Sequence, residues 1–134
     1  MSAPAPRARA PRTLTQKLGS IVLGFEAVVV FLAGLTVYGL KALPAGIPPW
    51  WGIVGGSVLA IAMIALAGAI ARPGAIIVGW VLQVLVLAAA FLVPAIALVA
   101  LIFGGMWTYA TIVGARVDRK PRTDTPTESH TESE

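Results

Sequence analysis

No charged side chain occurs between Arg72 and Arg116. As one straight helix the stretch from Ala75 to Ala115 would be about 60 Å long, twice the roughly 30 Å hydrocarbon core of a bilayer. A run so apolar is too long to cross once, so it must be broken. Pro94 divides it, because proline removes a backbone donor and disfavours helix in the preceding Val93. Two spans are therefore expected, at about 75–93 and 95–115, joined by an unusually tight hairpin. No polar residue marks that turn, and a kinked or re-entrant passage through Pro94 is the alternative.

The first half of the chain supplies two more spans. Residues 18–40 exceed the roughly 20 apolar residues needed to cross, with Glu26 as the one internal charge. Arginines precede this stretch as in a secretory signal, but it is longer than a signal core of about 7–15 residues and reads as a retained span. KALPAGIPP (Lys41 to Pro49) is rich in turn formers, and Pro48-Pro49 can open a helix. The second span then runs over about 50–71 and stops at the Arg72-Pro73-Gly74 turn. The expected fold is all-α: an integral membrane bundle of four helices occupying residues 17–116. Residues 1–16 (basic) and 117–134 are expected to form disordered cytoplasmic tails.

Composition agrees. Hydrophobic residues make up 57% of the 134 positions and charged residues 12%, against about 25% charged in soluble domains. Nine of the ten basic residues, namely Arg7, Arg9, Arg12, Lys17, Arg72, Arg116, Arg119, Lys120 and Arg122, fall on one side of the four-span topology, leaving Lys41 on the other. Basic residues favour the cytoplasmic face, so both termini are expected in the cytoplasm and the protein in the plasma membrane. Tyr38, Trp50 and Trp51 are expected at the outer interface, Trp107 and Tyr109 at the inner one. The net charge of +4 does not imply nucleic acid, because each basic cluster abuts an apolar span and no aromatics are interleaved.

With no cysteine, thiolate chemistry and disulfides are excluded. The single His130 lies in the polar tail without companion ligands, so neither a metal nor a cofactor is expected. No phosphate-binding loop or second intramembrane acid accompanies Glu26, and no enzymatic activity is expected.

Apolar helices gain little from hydrophobicity when they meet in lipid, so small residues that allow close backbone approach mark the contact faces. Such faces are expected at Ser20 and Gly24, at Gly52, Gly56 and Ala60, and at Ala75 and Gly79. The longest comprises Ala97, Ala100, Gly104, Thr108, Thr111 and Ala115.

Glu26 is the candidate site. An acid at a helix centre costs about 2.5–3.5 kcal/mol on insertion scales, so it should face protein rather than lipid. It lies about 12 Å from Leu18 along its span, and Gln83 lies about 12 Å from Ala75 along the third. Thr108 is slightly shallower, and a hydrogen-bonded cluster of Glu26, Gln83 and Thr108 is expected. A protonated Glu26 could donate to Gln83. Three readings stay open: a polar clamp between helices, a site for a proton or cationic ligand, and a water-exposed acid at a subunit interface.

The runs GFEAVVVFLAGL (Gly24 to Leu35), ARPGAIIVGWVLQ (Ala71 to Gln83) and FLVPAIALVALIFGGMW (Phe91 to Trp107) resemble a family of small actinobacterial membrane proteins. That family has no assigned function and is often encoded beside folylpolyglutamate synthase and nucleoside diphosphate kinase. The resemblance spans about residues 14–120 and implies four helices in the plasma membrane, with no activity attached. A looser similarity is to the small multidrug resistance transporters, four-helix proteins with an essential glutamate in the first span, where Glu26 stands here. It implies proton-coupled export of hydrophobic cations by an antiparallel dimer, which the one-sided basic residues oppose. The expected role is structural or accessory. The partners would be the bilayer, a second copy or a larger membrane complex, with transport as the alternative.

Overall fold

The computed structural model describes residues 11–121. They form four helices: α1, Leu14–Gly39; α2, Trp51–Gly68; α3, Ala75–Ala89; and α4, Ile96–Arg119. No strand occurs among the described residues, and the all-α expectation holds for them. Three helices, α1, α2 and α4, are long and apolar enough to cross a membrane. The 15-residue α3 is shorter than the span expected over 75–93.

The difference arises at Pro94. Beyond Ala89 the backbone tightens, with Phe91 N–H donating to Ala88 O and Leu92 N–H to Ala89 O, both 3.1 Å. Ile96 and Ala97 then donate to Val93 O and Pro94 O at 2.9 Å, opening α4. The connection is thus a hairpin of residues 90–95 in which the N–H groups of Ala90 to Val93 are answered locally, as a turn without polar side chains favours.

At the opposite end α1 starts earlier than expected. Thr13 caps it: Gln16 N–H donates to Thr13 Oγ1 at 3.3 Å, and Thr13 N–H donates to Gln16 Oε1 at 3.1 Å. This capping box answers two of the helix's free N–H groups and extends it four residues before Leu18. α4 likewise continues to Arg119. Residues 14–16 and 117–119, expected in disordered tails, are therefore helical, while the rest of those tails, His130 included, lies largely outside the described residues.

Two turns use left-handed backbone. Gly74 (φ 82°) precedes α3. After α1, Lys41 takes φ 50°, with its N–H donating to Tyr38 O at 3.1 Å and Ala42 N–H to Val37 O at 3.0 Å. This pair of bonds is a Schellman motif with lysine at the position that usually holds glycine.

The helices form a ring in chain order. α1 packs most extensively on α2 and next on α4, whereas α3 packs on α4 and more lightly on α2. α1 and α3 therefore face each other across the bundle diagonal. Buried positions on α1 recur at helical spacing, Gly19, Val22, Leu23, Glu26, Ala27, Val30, Gly34 and Val37, while Phe25, Val28 and Leu32 point outward.

The α1–α2 contact is built on glycine. A Cβ added to Gly34 would lie 2.6 Å from Gly52 O and 3.0 Å from Gly56 Cα. The expected small face of α2 is thus in use, but its partner on α1 is Gly34. Gly24, expected in the α1 contact, has open space where a Cβ would stand, with nothing within 4 Å, although Ser20 does donate to Ala67 O at 3.1 Å.

Trp107 revises two expectations. Its side chain is fully buried rather than interfacial. A Cβ on Gly79 would overlap its ring, and one on Gly19 would come within 3.3 Å of it. The flat indole fills space that two glycines leave open, and α4 is rotated to bring it inward. Its buried positions are accordingly Ala100, Trp107, Ala110, Thr111 and Gly114, with Ala97, Gly104, Thr108 and Ala115 at the flank of the contact. Tyr38, Trp50, Trp51 and Tyr109 are exposed, with Trp50 and Trp51 stacked at a centroid distance of 4.7 Å.

Candidate functional site

Glu26 sits midway along α1 on its inward face and is fully buried. Gln83 continues the buried α3 positions Ala75, Gly79 and Leu82. Its Nε2 donates to Glu26 Oε2 at 2.5 Å, joining the two diagonal helices. The pair expected from the sequence is thus brought together. Thr108 is not part of that bond: its hydroxyl donates to Gly104 O at 2.7 Å, one turn back on its own helix. Such a local acceptor is always within reach of a helical threonine, which is why depth alone did not decide its partner.

The pair leaves buried polar capacity unused. Glu26 Oε1, Gln83 Oε1 and Trp107 Nε1 are all buried without hydrogen-bond partners. The basic residues among those described, Arg12, Lys17, Lys41, Arg72, Arg116, Arg119 and Lys120, are all at least partly exposed. No cation from these residues compensates Glu26, and no cluster of metal-ligating side chains occurs among the described residues.

Two spaces flank the pair. An apolar cavity of about 150 Å³ lies between α1, α2 and the α3–α4 hairpin, lined by Val30, Gly34, Gly56, Leu59, Val86 and Val93 among others. Val30 and Val86 are about one turn beyond Glu26 and Gln83, so the polar pair underlies this cavity without lining it. A groove of about 220 Å³ runs between α3 and α4, and Gln83 and Thr108 both line it.

A second polar junction ties the helix ends together. Asp118, near the end of α4, accepts from Leu14 N–H at 3.0 Å, Thr15 N–H at 3.1 Å and the Thr15 hydroxyl at 2.8 Å. The carboxylate thus answers N–H groups at the start of α1, where negative charge is favoured. The Thr15 hydroxyl, with the Thr15 and Leu14 N–H groups, holds the Asp118 carboxyl below its ordinary pKa. Close approach is possible because Gly114 faces Thr15, whose Oγ1 would be 2.6 Å from an added Cβ. This junction was not anticipated, although Asp118 is the only acid between Glu26 and Asp124.

The family described as "Protein of unknown function (DUF4233)" matches residues 16–123, from the first turn of α1 to beyond the end of α4. The chain belongs to the DUF4233 family. Both the Glu26–Gln83 pair and the Asp118 junction to Thr15 involve residues in or immediately beside the matched region. No match was found among curated proteins or among solved structures. Membership of DUF4233 brings no activity with it.

Proposed function

We propose that this DUF4233 member is an accessory protein of the plasma membrane. In this reading it crosses four times, keeps both termini in the cytoplasm, and binds either a second copy of itself or a larger membrane complex. Arg12, Lys17, Arg72, Arg116, Arg119 and Lys120 belong to one end of the ring of helices, and Lys41 belongs to the other, which supports that orientation. The short α3, flanked by turns and packed between α2 and α4, accompanies them as the third span.

Glu26 and Gln83 serve here as a clamp across the bundle diagonal. The observation that carries this reading is the complete burial of Glu26 beside an amide and away from every described basic side chain. Interhelical hydrogen bonds in lipid contribute on average about 0.6 kcal/mol and hold helices in register. A carrier site for protons and cations, by contrast, needs alternating access to water.

The second reading is a small proton-coupled transporter of hydrophobic cations, with Glu26 as the exchange site. It draws on the unpartnered Glu26 Oε1, an acceptor already desolvated. Proton release from the purified protein in weakly buffered detergent, on addition of a hydrophobic cation, separates the two. The clamp predicts no release from wild type and a folded Glu26→Gln variant. Release that Glu26→Gln abolishes would replace the clamp with the transporter.

A further inference from the structure

The groove between α3 and α4 has apolar walls and two polar lining residues. Val84, Leu87 and Leu101 form its walls and are themselves exposed on the outer surface of the bundle. Gln83, 6% exposed, lines it with Oε1 buried and unpartnered. Gly104 stands directly over that buried oxygen: a Cβ there would meet Gln83 Oε1 at 3.8 Å and no other side chain within 4 Å. Thr108 also lines the groove, and because its proton is given to Gly104 O, its oxygen is left able to accept.

We infer that this groove binds a lipid-dissolved amphiphile with a hydroxyl head, a long-chain alcohol, which enters sideways from the hydrocarbon and hydrogen-bonds Gln83. A hydroxyl drawn away from water needs a partner, and Gln83 and Thr108 supply two acceptors along an otherwise apolar slot. The tail would lie along Val84, Leu87 and Leu101, towards the hairpin. A neutral hydroxyl head suits the groove better than an ammonium, because no described carboxylate lines the groove to offset a buried charge. One end of the Gln83 amide meets Glu26, and the other faces the groove. Were the amide turned over by a protonated Glu26, it would present N–H in place of oxygen, and only a group that both donates and accepts answers either state. The inference rests on the membrane location proposed above, but on neither role for Glu26.

The test uses the full chain in phosphatidylcholine vesicles, with flotation first confirming insertion. Failure to float would refute the membrane reading, and with it this site; the remaining arms test the site alone. The probe is a long-chain primary alcohol carrying a diazirine near its head. Saturable labelling is expected within residues 80–87 and 100–108, displaced by unlabelled alcohol and not by the alkane of equal length. Gly104→Leu, which fills the space before Gln83, should lower labelling at least tenfold. Should that variant fold poorly, Gly104→Ala adds a methyl at ordinary contact distance and should still lower labelling several-fold. Labelling spread evenly over outward-facing positions, displacement by the alkane, or labelling unchanged in a folded Gly104 variant would overturn the inference.

Discussion

Gly34→Ala tests the backbone contact on which α1 and α2 meet. The added methyl would stand 2.6 Å from Gly52 O and 3.0 Å from Gly56 Cα, both backbone atoms that no rotamer change can withdraw. The two helices must part by several tenths of an ångström along the most extensive contact in the bundle. Overpacking of this kind costs about 1–3 kcal/mol. Alanine recovers part of that, since glycine in a helix is about 0.8–1.0 kcal/mol less favourable. A net loss of up to about 2 kcal/mol is expected. Gly24→Ala is the matched control: it lies in the same helix, has open space around the new methyl, and should gain up to about 1 kcal/mol. Unfolding of the detergent-solubilised protein by dodecyl sulfate, followed by circular dichroism, measures both. The reasoning fails if Gly34→Ala proves as stable as Gly24→Ala.

Gly79→Ala should cost about 3 kcal/mol, because its methyl would overlap the Trp107 ring, and Trp107→Leu should be less harmful in that background than alone; additive losses in the double variant would refute the contact. Gln83→Leu removes the partner of a fully buried acid and should cost about 1–3 kcal/mol, whereas Glu26→Gln keeps an amide donor or acceptor for Gln83 and should cost less; the same unfolding assay ranks them. The depressed pKa of Asp118 means that its contribution is complete above about pH 4 and is lost as pH falls through the lower folded value, so a pH titration of stability should show an acid-limb loss that Asp118→Asn lacks. Lys41→Gly should raise stability by up to about 1 kcal/mol, since it removes a side chain from left-handed backbone while keeping both Schellman bonds; an unchanged midpoint would argue against that turn.

Helix number and approximate position were legible because lipid-scale length and proline punctuation are strong signals: Pro94 and Arg72-Pro73-Gly74 both fall between helices. Glu26 and Gln83 could be paired because each was the one large polar side chain at mid-depth in its span. Rotation was less legible. With nearly every residue apolar, no polar face opposes a core face, so small residues had to stand in for periodicity. That worked for Gly52 and Gly56 on α2. It held only in part for α4, where Ala100 and Thr111 are buried but one large ring, Trp107, matched to Gly19 and Gly79, turns the rest of the row to the flank. The helix ends were under-read because Thr13 with Gln16 is a local capping signal, while the reach of Asp118 to Thr15 depends on how α1 and α4 finally sit together.

The diagonal placement of Glu26 and Gln83 bears on how the chain is made. A nascent chain delivers α1 and α2 first, and their glycine contact can close at once. At that moment Glu26 is already within the first helix, while Gln83, 57 positions later, has not arrived. Nor does Trp107, the ring packed against Gly19 and Gly79, yet exist. The first hairpin alone therefore holds an acid that Gln83 has yet to answer. The bond across the diagonal can thus form only once the third helix has joined the first two, so a chain cut short before Gln83 leaves its buried acid without an amide.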